Sequence, residues 1–195
     1  MEYIIHKGQG KTIQVQRYLK LLKVSYVMSK HSENSSYREK LIEHLFIGEL
    51  LKLSWREKDC RLEVGKPEIG NSYYDVILQE NKVVRHVQLK ASFIGSKTSR
   101  QNVNLKLADK PSGCIIWIYF DQESLKLGPY YFFGDIPGQP LPSLSDANVA
   151  KHTKGNQDGV KAERPNLRVL NKGDFTKYQT IKQLYEALFE AKNDM

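Results

Sequence analysis

Apolar residues along the chain fall into stretches of different period. From Tyr37 to Leu53, Leu41, Ile42, Leu45, Phe46, Leu50 and Leu53 recur at spacings of three and four, which predicts an amphipathic helix. Asn34-Ser35-Ser36 supplies capping side chains just before it, with Glu39 close to the capping-box position relative to Ser36. After Trp55 the period shortens. Arg61–Val64, Tyr73–Leu78 and Val83–Lys90 read as three strands, separated by Gly65-Lys66-Pro67, Gly70-Asn71-Ser72 and Glu80-Asn81-Lys82.

Val103–Ala108 alternates like a strand but also suits a helix stopped by Pro111-Ser112-Gly113, and a helix is the expectation. Cys114–Phe120 is a nearly unbroken apolar, β-branched and aromatic run, as expected of a central strand buried on both faces. Tyr130–Phe133 should be its antiparallel neighbour. Residues 134–165 are rich in Gly, Pro, Ser, Asn and Asp and predict a long loop or lid. Ile181, Leu184, Tyr185, Leu188 and Phe189 mark a C-terminal helix over about 179–191. The order places the chain in the α/β class, as a basic N-terminal arm over 1–31 and one domain over 32–195.

The 195 residues carry Lys+Arg 30 against Asp+Glu 22, a formal charge of +8 that makes nucleic acid the leading partner class. Cys60 and Cys114 lie far apart and outside any Cys-x-x-Cys pattern, which excludes a disulfide framework and a zinc ribbon and suits a reduced, cytoplasmic setting. No apolar run approaches the roughly 18 residues of a membrane span, so neither a membrane partner nor a signal peptide is expected. His6-Lys7-Gly8-Gln9-Gly10-Lys11-Thr12 ends like a phosphate-binding loop, but Ile5 stands where the first glycine is required. The histidines lack metal-ligand spacing, and there is no Gly-x-Ser-x-Gly elbow.

The chemistry concentrates in Tyr73–Ser92. If Asn81-Lys82 is a two-residue hairpin loop, Glu80 faces Val83 and, by extension, Asp75 faces Gln88. Gln88 and Lys90 point to one face and Leu89 to the other. A carboxylate and an amide oxygen then meet an ammonium, the first two suited to a hard divalent ion and the third to a phosphate or an attacking water. On the hairpin alone, an ordinary cross-strand ion pair of Asp75 with Lys90 reads equally well.

The preceding helix adds to this. Glu43 to Trp55 (EHLFIGELLKLSW), then Asp75, then Gln88-Leu89-Lys90 resembles the PD-(D/E)XK phosphodiesterase superfamily, in a Gln-x-Lys variant. The resemblance covers about residues 37–120. It implies a restriction-endonuclease-like α-β-β-β-α-β core, with a mixed central sheet flanked by helices. By that resemblance Glu43 and Asp75 match metal-binding acids, Gln88 stands where the family has its second core acid, and Lys90 matches the lysine. Glu43 is preferred over Glu39, one turn earlier on its face, and over Glu49, about 120° away, for its register with Trp55. Glutamine still offers one neutral oxygen, so weaker metal affinity is expected.

The implied activity is metal-dependent hydrolysis of nucleic acid, as an endonuclease acting on DNA ahead of RNA. Mg2+ or Mn2+ would be held by Asp75, the Gln88 oxygen, the Leu89 carbonyl and Glu43. Lys90 would position the attacking water or help deprotonate it. Lys82, Arg85, Lys97, Arg100 and Lys106 lie in the segment Lys82–Lys110, whose one acid is Asp109, and would meet the phosphates. Lys151, Lys154, Lys161, Arg164 and Arg168 give the long loop the same character, placing it to close over bound nucleic acid. A homodimer is compatible with the sequence. The alternative is a nuclease-like nucleic-acid-binding module that lost its chemistry with the acid at Gln88.

Overall fold

A computed structural model describes residues 18–19, 33–69, 73–155, 157 and 159–190. The predicted N-terminal arm and its glycine-rich turn lie outside the described residues, Tyr18 and Leu19 excepted. The chain divides between Leu41 and Ile42, and the sheet fold belongs to 42–195.

Helix α1 (Ser35–Glu57) is longer at both ends than the apolar spacing predicts. It buries Ile42, Phe46, Leu50 and Leu53 and leaves Trp55 77% exposed. Three strands follow as an antiparallel meander: β1 (Leu62–Gly65), β2 (Val76–Glu80) and β3 (Val83–Phe93). The β2–β3 register is the expected one, from Glu80 opposite Val83 to Val76 opposite Val87. Asn81 carries the turn at φ 54°, a left-handed conformation that asparagine tolerates better than most residues.

The crossover after β3 contains no α-helix. Its place is taken by β4 (Arg100–Asn104) and a 3-10 helix over Leu105–Asp109, which the Asn104 side chain caps by accepting from the Lys106 amide. Val103 therefore belongs to a strand, and the expected helix is replaced: β4 gains ladder bonds from a later strand, which a helix over the same residues would forgo. The chain then enters β5 (Gly113–Phe120), parallel to β3 and buried along its whole length. A side chain at Gly113 would sit 2.6 Å from the Leu107 carbonyl oxygen, so this entry requires glycine.

The strand β6 (Leu127–Phe133) runs antiparallel to β5, as expected of Tyr130–Phe133. The segment read as a long loop is a loop in part, for it contains β7 (Val149–Lys151) and the start of β8 (Glu163–Asn171). With β9 (Thr176–Tyr178) the strands form a mixed sheet ordered β1-β2-β3-β5-β6-β9 and a second sheet ordered β4-β8-β7. Helix α2 (Ile181–Phe189) closes the chain, its start fixed by a Thr180–Gln183 capping box.

The larger sheet separates two cores. On one face Val76, Leu78, Val87, Ile116 and Ile118 pack with α1 and α2 residues such as Phe46 and Leu184. On the other, Ile115, Trp117, Tyr119 and Tyr131 pack with Val103 and Leu170 of the second sheet. Each fully buried large side chain contributes about 1.5–3 kcal/mol, so the alternate faces of β5 hold both layers together. The sheet is mixed, as expected, but α1 and α2 both lie on one face, while strands and the short 3-10 helix cover the other.

Candidate functional site

The period-two geometry of β3 sorts its side chains. Val87, Leu89 and Ala91 face the helix-covered core, while Gln88, Lys90 and Ser92 face the other side, beside Ile115, Trp117 and Tyr119 of β5. Gln88 and Lys90 are half-buried, whereas Ser92 is buried and accepts a hydrogen bond from Trp117 Nε1 at 3.0 Å.

Asp75 stands one residue before β2. Its amide donates to the carbonyl of Val87 at 2.8 Å, although Val76 already pairs with Val87, so two residues oppose one in the manner of a β-bulge. The regular ladder thus stops one step short of pairing Asp75 with Gln88. The bulge turns the Asp75 carboxylate toward β3, where Oδ2 accepts the Leu89 amide at 2.6 Å. Because the N–H and C=O of one strand residue leave on the same edge, the Leu89 carbonyl also faces the side on which Asp75 lies.

Gln88 is held at both ends of its amide. Nε2 donates to the Tyr73 carbonyl at 3.4 Å, and Oε1 accepts the Asn104 amide at 3.2 Å. Sequence reasoning missed both partners, because both are main-chain groups that no side-chain pattern reports.

Glu43 is buried on the inner face of α1, so it approaches from the helix-covered side, opposite to Gln88 and Lys90. Its Oε1 lies 2.6 Å from Nζ of Lys66. Lys66 directly follows Gly65, which pairs with Ile77, so this ion pair belongs to the same end of the sheet as Asp75. Trp55, used to set the helix register, points to solvent, and the preference for Glu43 rests on its burial instead. Glu39 is exposed and Glu49 half-buried.

The basic residues part company. Arg85 is wholly buried, which removes it from any nucleic-acid surface. Its guanidinium donates to the carbonyls of Leu188 (2.8 Å) and Asp135 (2.9 Å) and to Ser112 Oγ (3.0 Å), and burial holds its pKa below the usual arginine value. An arginine that caps the last carbonyls of α2 looks like a surface cation in sequence. Lys82 is exposed but sits at the turn, roughly 20 Å along the hairpin from Asp75 at about 3.3 Å per residue. Lys97 and Arg100 are exposed on the crossover.

Lys106 is exposed beside the site, since its Nζ donates to the Tyr73 hydroxyl at 3.0 Å and lies 5.0 Å from the ring centre. That hydrogen bond raises its pKa above the ordinary lysine value. Lys110 covers Tyr74 at 5.7 Å, and His86 meets the same ring edge-on. These pairs form a cationic, aromatic wall next to Gln88, signalled in sequence by Tyr73-Tyr74 before Asp75.

The oxygen donors here are of the hard type that Mg2+ and Mn2+ take. A carboxylate offers about four lone-pair positions and an amide oxygen two, more than the Leu89 and Asn104 amides take. Asp75, Gln88 and Leu89 thus carry donors of the chemical type a divalent ion takes, while Glu43 has Lys66 as its counter-ion. Among the described residues, no three His, Cys, Asp or Glu side chains come together as a metal-binding group. Nor does any described helix have the length and apolarity to cross a membrane. Comparison with protein-family models and with curated protein sequences finds no match to this chain.

Proposed function

We propose that this chain is a metal-dependent nuclease of the PD-(D/E)XK type, acting on DNA in the cytoplasm. The observation that carries the reading is the end of β2, where a bulge brings the Asp75 carboxylate onto the Leu89 amide, one residue from Gln88 and Lys90. The order of helix, three antiparallel strands and a fourth strand parallel to the third supports a restriction-endonuclease-like core. The strand-built crossover replaces that core's second helix.

Asp75, the Gln88 amide oxygen and the Leu89 carbonyl would hold Mg2+ or Mn2+, which supplies Lewis-acid polarisation of a phosphoryl oxygen. Asp75 brings the site's negative charge, and its Leu89 hydrogen bond fixes the carboxylate plane. Asn104 and Tyr73 hold the Gln88 amide in one orientation, so its oxygen needs no reorganisation on binding. Lys90, on the face of Gln88, orients the attacking water and offsets charge gathering on the phosphate. Lys106 and Lys110 receive flanking phosphates.

A second reading is a nucleic-acid-binding module without chemistry. It is favoured by the neutral Gln88, whose oxygen already takes a backbone N–H, and by the Glu43–Lys66 ion pair. Cleavage assays with single-stranded, duplex and branched DNA in Mg2+ or Mn2+ separate the two. Metal-dependent cleavage, abolished by chelation, is expected. Tight binding without cleavage of any substrate would replace the nuclease reading with the binding module.

A further inference from the structure

The β7–β8 hairpin has a shape and charge that the candidate site does not use. β4 pairs with β8 only from Leu167 to Asn171. Further out, β8 has β7 as its described neighbour: Ala150 faces Arg164, Lys151 faces Glu163, and the His152 amide donates to the Ala162 carbonyl at 2.9 Å. From Glu163 to Asn166 the second sheet is thus a two-stranded ribbon. Residues 151–155 and 161–166 are all exposed.

The ribbon is cationic. Lys151, Lys154, Lys161 and Arg164 are exposed along it, and its described acid, Glu163, makes only a 3.8 Å contact with Lys151 in open solvent. Arg168 plays a different part, donating to the carbonyls of Pro165 (2.7 Å) and Leu167 (3.3 Å). These bonds brace the break in register between Val149 and Ala150, where Pro165 has no N–H to offer the ladder. An isolated two-stranded ribbon is marginal in water, and this one has no apolar face turned to a described core.

We propose that this hairpin is a DNA-binding arm whose two strands enter the major groove of a duplex, with Lys151, Lys154, Lys161 and Arg164 on the phosphates at its rims. The major groove of B-form DNA is about 12 Å wide and admits a two-stranded ribbon, whereas the major groove of A-form RNA is too deep and narrow for side chains to read. The opposite edge of the same sheet is β4, whose Asn104 amide holds the Gln88 oxygen, so the sheet that grips the duplex is fastened to the candidate site. The inference rests on the proposed function only in taking nucleic acid as the partner.

The test measures affinity of the full chain for a short DNA duplex in Ca2+, which suppresses cleavage, across a series of salt concentrations. Changing Lys151, Lys154, Lys161 and Arg164 together to Gln should flatten the log–log salt slope by roughly 3 to 4, at about 0.9 per lost phosphate contact, and weaken binding at least tenfold. As a check independent of any variant, duplex DNA should protect Lys151, Lys154 and Lys161 of the wild type from acetylation. An unchanged slope in a folded variant, unaltered acetylation, or equal weakening on duplex RNA would each overturn the arm. The expected slope change in the variant, beside a wild type that never cleaves, would overturn the nuclease reading and leave the arm standing.

Discussion

The two ends of the β2–β3 hairpin are built on opposite rules. At the closed end, Glu80 pairs with Val83 across a two-residue turn, Val84 pairs with Gln79, and Arg85 is locked into the C-terminus of α2. The buried cation there is spent on structure, and the exposed Lys82 sits at the turn. At the open end, the ladder gives way to a bulge, the Asp75 carboxylate accepts the Leu89 amide, and half-buried Gln88 and Lys90 flank Leu89 on β3. Residues of the same strand, Arg85 and Lys90, thus have unrelated roles, because odd and even positions of β3 face different layers. The closed end secures the fold, and the open end holds the residues of the proposed site.

That division breaks first if Arg85 is dispensable. Arg85→Ala should cost about 3–5 kcal/mol, because it empties the space of a wholly buried side chain and leaves the buried carbonyl of Leu188 and the part-buried carbonyl of Asp135 without this donor. Chemical denaturation checks this, and a loss below about 1 kcal/mol would mean that the closed end is not structural as described. Asp75→Asn and Lys90→Ala should do the reverse. Each should lower cleavage at least a hundredfold, about 2.7 kcal/mol of transition-state stabilisation, while stability moves by less than about 1 kcal/mol. DNA affinity in Ca2+ should hold or tighten for Asp75→Asn, since an acid near phosphates repels them.

A smaller effect sharpens the contrast at Gln88. Gln88→Glu adds a charged ligand, so Mg2+ should bind several-fold more tightly in a calorimetric titration and cleavage should hold or rise. Weaker Mg2+ binding would show that the Asn104 amide is matched to a neutral oxygen.

The smallest effect concerns Cys114 on the central strand. Burial pushes its thiol up to about 12 from an ordinary value of 9.0. The folded state therefore favours the neutral thiol; its contribution is complete below pH 9 and is lost between about pH 9 and 12 as the unfolded chain ionises. Alkylation of the native protein should mark the exposed Cys60 and spare Cys114.

Much of the closed end was legible in the sequence. A two-residue turn between alternating strands admits few registers, and the apolar run of β5 admits few positions other than the sheet centre. β8 was not legible, because Glu163–Asn171 is polar and owes its strand state to β4 and β7 rather than to a hydrophobic period. Arg85 misled because its burial depends on carbonyls about a hundred residues away. Asp75, Gln88 and Lys90 could be named from residue type and period, but the bulge that redirects Asp75 and the amide that holds Gln88 are main-chain features. Lys66, the counter-ion of Glu43, sits in a turn that the sequence marks only as a turn.

The most direct test is a crystal of the wild-type chain soaked with Mn2+ and measured for anomalous scattering. One peak bounded by the Asp75 carboxylate, the Gln88 amide oxygen and the Leu89 carbonyl is the predicted result. A peak elsewhere in a chain that cleaves DNA, or none at this end of the hairpin at saturating Mn2+, would contradict the account.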